Sequence, residues 1–390
     1  MNVDEQRRLL ADVEAFCAEI RPVEELCYVE HTFNSQVLPL ARKHNLLGMF
    51  LPKEYGGRAA DTVTYARALA RIGREGTGVR TFFSGHLSIG EYPILTWGNE
   101  DLKQRYLPAA GRGEKILAFG LTEPEAGSNP LEMQMTYERR GDQFVLNGVK
   151  YLISNAGIAQ AIVTFAYPKG HTGRISAFVV DTGVSGFARE DLTAKMGMPT
   201  ANTAMFELTD YVLPAANLLG QEGEGFRIAM GTLVSGRLSV AAGCLGVIED
   251  CLAEVVHYAK ERKQHGKPIA KHQLVQEHIA AIEMHRLATE AVVMRAAEAK
   301  DASAAEQVKA ELKARAELLA AQAKLFAANA AWDAADRAVQ VFGGRGWSTL
   351  YRPGRHLQDV RVCRIYEGTD EILKLKVAAA VLGKEYEAYK

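Results

Sequence analysis

The strongest constraint in the sequence is a set of three long alanine-rich segments in its C-terminal part. Apolar residues recur there with the spacing of one helix face, over 226–263, 271–300 and 304–342. Ser303 and Glu306 predict a capping box at the start of the third helix, and a fourth helix is predicted over 370–382. Long helices joined by short turns bury their apolar faces against one another, so we expect a four-helix bundle.

The pattern changes between residues 118 and 225. Short segments rich in β-branched and aromatic residues alternate there with turn residues, at 143–146, 161–166, 175–180 and 204–208. Asn147-Gly148 predicts a hairpin, because both residue types tolerate a positive φ, and Gly141-Asp142 predicts a further turn. Since no segment long enough for a crossover helix separates these strands, we expect an antiparallel sheet or barrel.

The N-terminal part returns to helical spacing, at 5–20, 36–47, 61–72 and 87–97. The sequence therefore predicts an α+β multidomain protein. Its three expected domains are an N-terminal α-helical domain over 1–117, a middle antiparallel β-barrel over 118–225 and a C-terminal four-helix bundle over 226–390.

Charge and cysteine content exclude several classes of protein. Lys and Arg number 46 against 47 Asp and Glu, so we expect no nucleic-acid partner and no binding to an anionic membrane surface. No apolar segment approaches the ~18 residues of a membrane span, and the first residues lack an apolar signal core. The five cysteines form no Cys-x-x-Cys pair, which predicts free thiols, no metal and a cytoplasmic location.

The common nucleotide, metal and hydrolase motifs are missing. The chain has no Gly-x-x-x-x-Gly-Lys-Ser/Thr, no His-Glu-x-x-His and no Gly-x-Ser-x-Gly. The glycines at 343, 344 and 346 do not complete a dinucleotide fingerprint, and they follow a predicted helix rather than a strand.

Three other segments point to a site. GLTEPEAGSN (120–129) follows the strand-like 116–119, and its backbone and hydroxyls suit a polar cofactor ring or a phosphate as well as an ordinary turn. VQVFGGRGW (339–347) ends a helix in glycines that permit close approach of a ligand or subunit. IYEGT (365–369) places Glu367 in apolar surroundings, where a carboxylate can have a raised pKa and act as a base, although this segment alone favours an ordinary acid at a helix start.

In this order and spacing, the segments resemble the acyl-CoA dehydrogenase family of flavoenzymes. The resemblance covers nearly the whole chain. Its motifs are LTEPEAGSN (121–129), YLISNA (151–156), DYVLP (210–214), the Arg-Leu pair at 237–238, ERKQHGKPIAKHQ (261–273), QVFGG (340–344) and YEGTDEI (366–372). The family fold is a helical domain, a β-barrel and a four-helix bundle, as the periodicity also predicts.

The resemblance implies α,β-dehydrogenation of an acyl-CoA thioester. Glu367 matches the family's catalytic base, which takes the α-proton while the β-hydride goes to N5 of FAD. In the family, the backbone N–H of the base and a ribityl hydroxyl of the flavin bind the thioester carbonyl and stabilise the developing enolate in a dry site. Some relatives carry the base directly before the family arginine, which is Arg237 here, and that position is Gly236.

The resemblance also implies the binding residues. Those expected at FAD are Phe119, Leu121, Thr122, Ser128, Leu152, Ser154, Arg262, Gln264, Gln273, Gln340, Gly344, Thr369 and Glu371. Ser128, Arg237 and Gly368 are expected at the substrate. Because part of the FAD set reaches across a subunit interface in the family, we expect a homotetramer, with electron-transferring flavoprotein as the electron acceptor.

Three positions depart from the family pattern. Leu152 stands where many members have a tryptophan packed on the flavin, and His265 replaces a phenylalanine at the cofactor interface. Val234 stands where some straight-chain enzymes have an aspartate.

Arg80 bears on the identity of the acyl group. It aligns with an arginine that glutaryl-CoA dehydrogenases use to hold a distal carboxylate, although a surface position is also open. For Glu91, pairing with Arg80, contact with a polar substrate group and exposure to solvent all remain open, with exposure favoured. A carboxylated acyl-CoA is thus the sharper hypothesis.

The alternatives are a short or branched neutral acyl-CoA, an acyl-carrier-protein thioester, an oxidase that uses oxygen, and a non-catalytic relative that only binds flavin or CoA.

Overall fold

The computed structural model describes residues 1–304, 310–386 and 388 of the chain. Its N-terminal part is helical, with a π-helix at Ser84–Glu91 between α4 and α5. The α-helices are α1 (Val3–Glu30), α2 (Val37–Lys43), α3 (Thr62–Gly73), α4 (Thr77–Phe83), α5 (Tyr92–Trp97) and α6 (Glu100–Gly111). The helix predicted over 87–97 is therefore half π-helix, for which apolar spacing gives no separate signal.

A mixed sheet forms the middle of the chain. Its strands are β1 (Leu117–Gly120), β2 (Thr136–Arg140), β3 (Gln143–Ser154), β4 (Ala161–Pro168), β5 (Ser176–Asp181), β6 (Phe187–Asp191), β7 (Thr203–Pro214) and β8 (Leu218–Leu219). The order is β6-β7-β3-β2-β4-β5-β8, with β1 also paired to β4.

This sheet is not the closed antiparallel barrel that we expected. In the described residues no pairing joins β6 to β8, and both β1 and β2 pair with β4 in parallel. The parallel pairing needs no crossover helix, because the β2–β3 hairpin occupies the connection between β1 and β4. The prediction of a wholly antiparallel sheet is wrong because a hairpin, and not only a helix, can connect two parallel strands.

The hairpin predicted at Asn147-Gly148 is wrong. β3 runs through both residues, and its register against β7 shifts between Leu146 and Gly148, which marks a β-bulge. Gly148 has φ 144°, and a Cβ there would lie 2.7 Å from Cα of Met135. The positive φ is thus present at Gly148 alone, and it serves the bulge rather than a turn. The hairpin turn is the one predicted at Gly141-Asp142, where β2 pairs with β3.

Long helices make up the C-terminal part. They are α7 (Gly225–Glu261), α8 (Gln273–Ala302), α9 (Ala310–Phe342), α10 (Arg352–Val360) and α11 (Asp370–Leu382). The short strands β9 (Lys263–Gln264) and β10 (Lys267–Pro268) join α7 to α8. The capping box predicted at Ser303 and Glu306 involves a residue outside those described. The three-part helix–sheet–helix architecture is confirmed, while the boundaries at 117 and 225 stay predictions.

A buried carboxylate joins α10 to the rest of the helices. Asp250 on α7 accepts from Arg352 Nε at 2.7 Å and lies 2.8 Å from His356 Nε2, both on α10. Its other oxygen accepts from Arg21 of α1 at 3.1 Å. These partners hold the pKa of Asp250 well below its usual range despite its burial. The network fixes α10, which precedes the segment that carries Glu367.

Two glycine substitutions test the bulge. Gly148→Ala and Gly141→Ala both place a side chain at positive φ, which costs about 1–2 kcal/mol. Only at 148 does the new Cβ also meet backbone, since Gly141 has open space around it. We expect Gly148→Ala to lower the thermal unfolding midpoint about 3 °C or more beyond Gly141→Ala. Equal midpoints in differential scanning calorimetry would contradict the bulge.

Candidate active site

A cavity of about 480 Å³ lies where the N-terminal helices, the sheet and the bundle meet. It contains the predicted base and nine of the predicted binding residues. Those lining it are Arg80, Phe119, Leu121, Thr122, Ser128, Leu152, Ser154, Arg237, Glu367 and Gly368. Parts of the chain 287 residues apart in sequence, Arg80 and Glu367, thus reach one space.

Glu367 sits in a loop of left-handed backbone before α11. Its φ is 57° and that of Gly368 is 95°, so the backbone of a non-glycine residue is held in a costly conformation. The carboxylate lies directly against Gly236, where a Cβ would come within 2.3 Å of Oε1. A glycine before Arg237 is therefore required by the carboxylate that packs there.

The electrostatics of Glu367 suit a base. Burial raises its pKa to about 7, against the opposing charges of Arg237, Lys324 and Arg80. Oε2 is buried and has no hydrogen-bond partner in the described residues. The backbone N–H of Glu367 donates to no group in the described part of the chain, which leaves it free for a ligand. The site thus offers a proton acceptor and a hydrogen-bond donor side by side.

The loop after β1 is fixed by a buried ion pair. Lys150 Nζ lies 2.7 Å from Oε1 of Glu123, and both side chains are buried. Glu123 also accepts from the backbone N–H of Met135, at 3.1 Å, while Lys150 donates to the carbonyl of Leu121 at 3.2 Å. Burial lowers the pKa of Lys150 to about 8, and Glu123 opposes that shift. This pair, not predicted from the sequence, ties both ends of the loop to β3.

Hydroxyl groups line the sheet side of the cavity. Thr122, Ser128 and Ser154 all face it, and none of their hydroxyls has a partner among the residues that the structure describes. Leu152, next to Ser154, is 54% exposed at φ 58°. Hydroxyls without a protein partner can form hydrogen bonds to the polar edge of a planar ring, and a half-exposed apolar side chain can pack on its face. The residues present therefore fit a flavin.

Arg80 is buried, so its surface position is excluded. It is 2% exposed on α4, donates to the hydroxyl of Tyr366 and lies 5.7 Å from the centre of that ring. Its Nε is buried, and no described residue accepts a hydrogen bond from it. Within residues 1–304 and 310–386, no carboxylate lies within ion-pair distance of it. The guanidinium thus faces the cavity with its charge unpaired.

The favoured prediction that Glu91 faces solvent is wrong. It is 0% exposed at the end of the π-helix, and its Oε1 lies 3.3 Å from His86 Nε2. His86 accepts from the backbone N–H of Leu117 at Nδ1, so its proton is on Nε2. The apolar neighbours Ile89 and Tyr92 indicate burial of this segment, but a charged residue such as Glu91 is ordinarily predicted to be exposed.

The remaining predicted FAD residues lie outside the cavity. Arg262, Gln264, Gln273, Gln340 and Gly344 are exposed. They cluster at one end of the bundle, because Tyr258, one turn before Arg262, stacks on Phe342 with ring centres 4.1 Å apart. Thr369 caps α11 by accepting from the N–H of Ile372, and Glu371 is exposed.

At the positions that depart from the family, His265 packs edge-on against His272, 6.2 Å away, and Val234 is buried outside the cavity.

The sequence did not reveal several cavity residues. Ser84, Gly85 and Ile89 come from the π-helix, and Met230 and Leu233 from α7. The apolar spacing of α7 marks a buried face without distinguishing a core from a cavity wall. No group of His, Cys, Asp and Glu in the described residues is arranged to hold a metal ion. Over the same residues, no helix is long and apolar enough to span a membrane.

Comparisons with known proteins agree with this geometry. Models of the acyl-CoA dehydrogenase N-terminal, middle and C-terminal domains match residues 3–114, 118–211 and 223–382. A protein named acyl-CoA dehydrogenase from Bacillus subtilis is 38% identical over 367 residues, 94% of each chain.

Two solved structures are also similar. Butyryl-CoA dehydrogenase from Megasphaera elsdenii has a TM-score of 0.91 at 32% identity, over 98% of this chain and 99% of that one. A glutaryl-CoA dehydrogenase from Mycobacterium smegmatis, in complex with FADH2, has a TM-score of 0.90 at 26% identity, over 100% and 97%. The resemblance stated from the sequence is confirmed.

A pair of variants tests the burial of Glu91. Burial raises its pKa from 4.5 to about 7, so the folded state binds the proton more tightly than the unfolded state. The stability that the protonated Glu91 contributes is therefore fully present below pH 4.5. It decreases as the pH rises above 4.5 and is lost once the pH passes about 7. Relative to Glu91→Gln, the wild-type free energy of unfolding should fall by up to about 3 kcal/mol across that window.

The control for this test is Glu54→Gln, at an exposed position of the same part of the chain. Urea denaturation at a series of pH values gives the comparison. A constant difference between wild type and Glu91→Gln would contradict the assigned burial.

Proposed function

The chain belongs to the acyl-CoA dehydrogenase family of flavin-dependent oxidoreductases, and from that premise we propose that it dehydrogenates a carboxylated acyl-CoA thioester. The observation that carries the proposal is Arg80, a buried guanidinium in the cavity with no carboxylate partner among the described residues. An unpaired buried charge is costly. A distal carboxylate on the acyl group would neutralise it through a charge-assisted hydrogen bond.

The base in this proposal is Glu367. Its unpartnered Oε2 takes the α-proton, and the free N–H of its own backbone donates to the thioester carbonyl, which stabilises the developing negative charge. Arg237 holds the loop by donating from Nε to the carbonyl of Glu367 at 3.0 Å. FAD, when bound, supplies acceptance of a hydride from the β-carbon. The acyl group thus loses one proton and one hydride, which gives the 2-enoyl thioester.

The flavin side is formed by the loop after β1 and by β3. Thr122, Ser128 and Ser154 would donate to the ring and phosphates, with Phe119, Leu121 and Leu152 as apolar contacts. The support is that their hydroxyls line the cavity unpartnered. Thr369 and Glu371 are proposed to contact FAD from the start of α11. Ser128 and Gly368 would also contact the substrate.

We further propose a homotetramer in which Arg262, Gln264, Gln273, Gln340 and Gly344 complete the FAD site of a partner subunit. Large apolar side chains lie exposed next to these positions, with Leu274 81%, Trp347 87% and Leu350 68% exposed. Large apolar side chains exposed near one another are typical of an interface. Electron-transferring flavoprotein is the proposed electron acceptor on family grounds.

Replacing Glu367 tests the base. Burial raises its pKa to about 7, and only the deprotonated form accepts a proton. The rate of flavin reduction in the wild type should therefore rise about tenfold per pH unit below pH 7 and level off above it. Glu367→Gln should retain the flavin band and lose bleaching by acyl-CoA. Anaerobic stopped-flow absorbance measures both.

Bleaching of Glu367→Gln at the wild-type rate would assign the proton to another group. A purified wild-type protein without a flavin band would favour the non-catalytic alternative, and rapid reoxidation in air would favour an oxidase.

Replacing Arg80 tests the substrate class. In Arg80→Met the specificity for glutaryl-CoA should fall at least about 30-fold, since truncating one partner of a buried charge pair costs 2–5 kcal/mol. Butyryl-CoA, which has no distal carboxylate, serves as the internal control for damage to the base loop. Arg80→Lys keeps the charge and should recover part of the glutaryl-CoA rate. The readout is kcat/KM with an artificial electron acceptor.

Parallel losses with both thioesters would contradict a role in carboxylate binding and favour a neutral acyl-CoA. If a flavin-containing wild type is bleached by neither, the CoA substrate class is wrong, and an acyl-carrier-protein thioester becomes the better candidate.

A further inference from the structure

Lys324 is a buried lysine on α9 that the proposed mechanism does not use. Its side chain is 0% exposed, and its Nζ donates to the carbonyl of Gly368 at 2.7 Å. No carboxylate of the described residues forms an ion pair with it, and burial lowers its pKa. An ammonium group removed from water without an ion pair costs several kcal/mol. A methionine would fill this position without that cost, so the charge calls for an explanation.

The hydrogen bond from Lys324 is one of two that hold the loop carrying the base. Arg237 of α7 donates to the carbonyl of Glu367, and Lys324 of α9 donates to the next carbonyl, that of Gly368. The two residues so held are those with φ of 57° and 95°. Left-handed backbone persists in a non-glycine residue only where surrounding contacts over-determine it. Two cationic donors from different helices provide such contacts.

The charge of Lys324 also acts on the carboxylate. The cations that favour the charged form of Glu367 are Arg237 from α7, Lys324 from α9 and Arg80 from α4. The other titratable groups near Lys324 are Cys244, Cys363 and Asp370. Asp370 already accepts from Arg364 at 2.7 Å and from Asn329 at 3.0 Å. Both of these bonds go to Oδ2 of Asp370, and in the described residues Oδ1 of Asp370 and Oε2 of Glu367 are both buried without a hydrogen-bond partner. Lys324 thus has two carboxylates as charged neighbours, and of the two only Glu367 lines the cavity.

We propose that Lys324 is a positioning residue, which fixes the Glu367–Gly368 loop and favours the ionised form of the base through its charge. It does not line the cavity and so touches neither substrate nor cofactor. The inference rests on the proposed role of Glu367 as the base. It predicts an effect on the pH dependence of proton abstraction that a purely structural lysine would not have.

The pH profile of Lys324→Met provides the test. Loss of a nearby positive charge raises the pKa of a carboxyl group, and about one unit is the low end of the effect of such a neighbour. We expect the acid limb of anaerobic flavin reduction to move up by about one pH unit, which makes the rate at pH 7 about fivefold lower while the rate at high pH changes less. Lys324→Arg keeps the charge and should keep the wild-type midpoint. Lys313→Met, an exposed lysine on the same helix, is the matched control.

Each outcome decides the proposal. A Lys324→Met profile that superimposes on the wild-type profile would overturn it, and so would equal displacement of the Lys324→Arg midpoint. Should Lys324→Met lose its flavin, Lys324→Gln makes the same neutral change with a donor retained, and the same displacement is expected. Bleaching of Glu367→Gln would instead show that the base itself is misassigned. That result is independent of Lys324, so the two failures can be told apart.

Discussion

The structure depends on two consecutive carbonyl groups held by two cations. Glu367 and Gly368 adopt left-handed backbone, and Arg237 and Lys324 hold their carbonyls from α7 and α9. Left-handed backbone is costly for a non-glycine residue, and these two bonds stabilise it at Glu367. With them, the carboxylate is directed at Gly236, on the same helix as Arg237. The long helices therefore function as the frame that fixes one strained loop.

Each of the three parts of the chain contributes a different kind of group to the cavity. The N-terminal helices bring a buried cation, Arg80, and the sheet brings unpartnered hydroxyls. The bundle brings the carboxylate. The Glu123–Lys150 pair has a corresponding role on the sheet side, since it satisfies backbone groups at both ends of a loop that has little apolar surface to bury. Buried polar groups at this site are thus either fully paired for position or left unpaired toward the cavity.

The sequence predicted the parts of the structure that local periodicity controls. The start and end of α11 follow from its pattern, and α7 and α8 lie within three residues of their predicted bounds. Asn147-Gly148 failed because positive φ serves a bulge as well as a turn, and only the packing of Met135 against Gly148 separates the two.

Long-range contacts account for the other differences. Pairing of β1 and β2 with β4 joins segments on either side of a hairpin, which no local pattern reports. The family resemblance placed Glu367 and Arg80 in one site, but no feature of the sequence revealed Lys324, whose function depends on a carbonyl 44 residues away.

Glu91 and Glu367 show why burial alone does not identify a base. The Glu91 side chain is buried and that of Glu367 is partly buried, and loss of contact with water raises the pKa of each to about 7. Around Glu91 the opposing group is His86, and the carboxylate does not line the cavity. Glu367 faces three cations, which favour its ionised form, and it borders the cavity with one oxygen unpartnered. Since the two pKa values are alike, ionisation does not separate these glutamates. A base must also reach a substrate, and of the two only Glu367 lines the cavity.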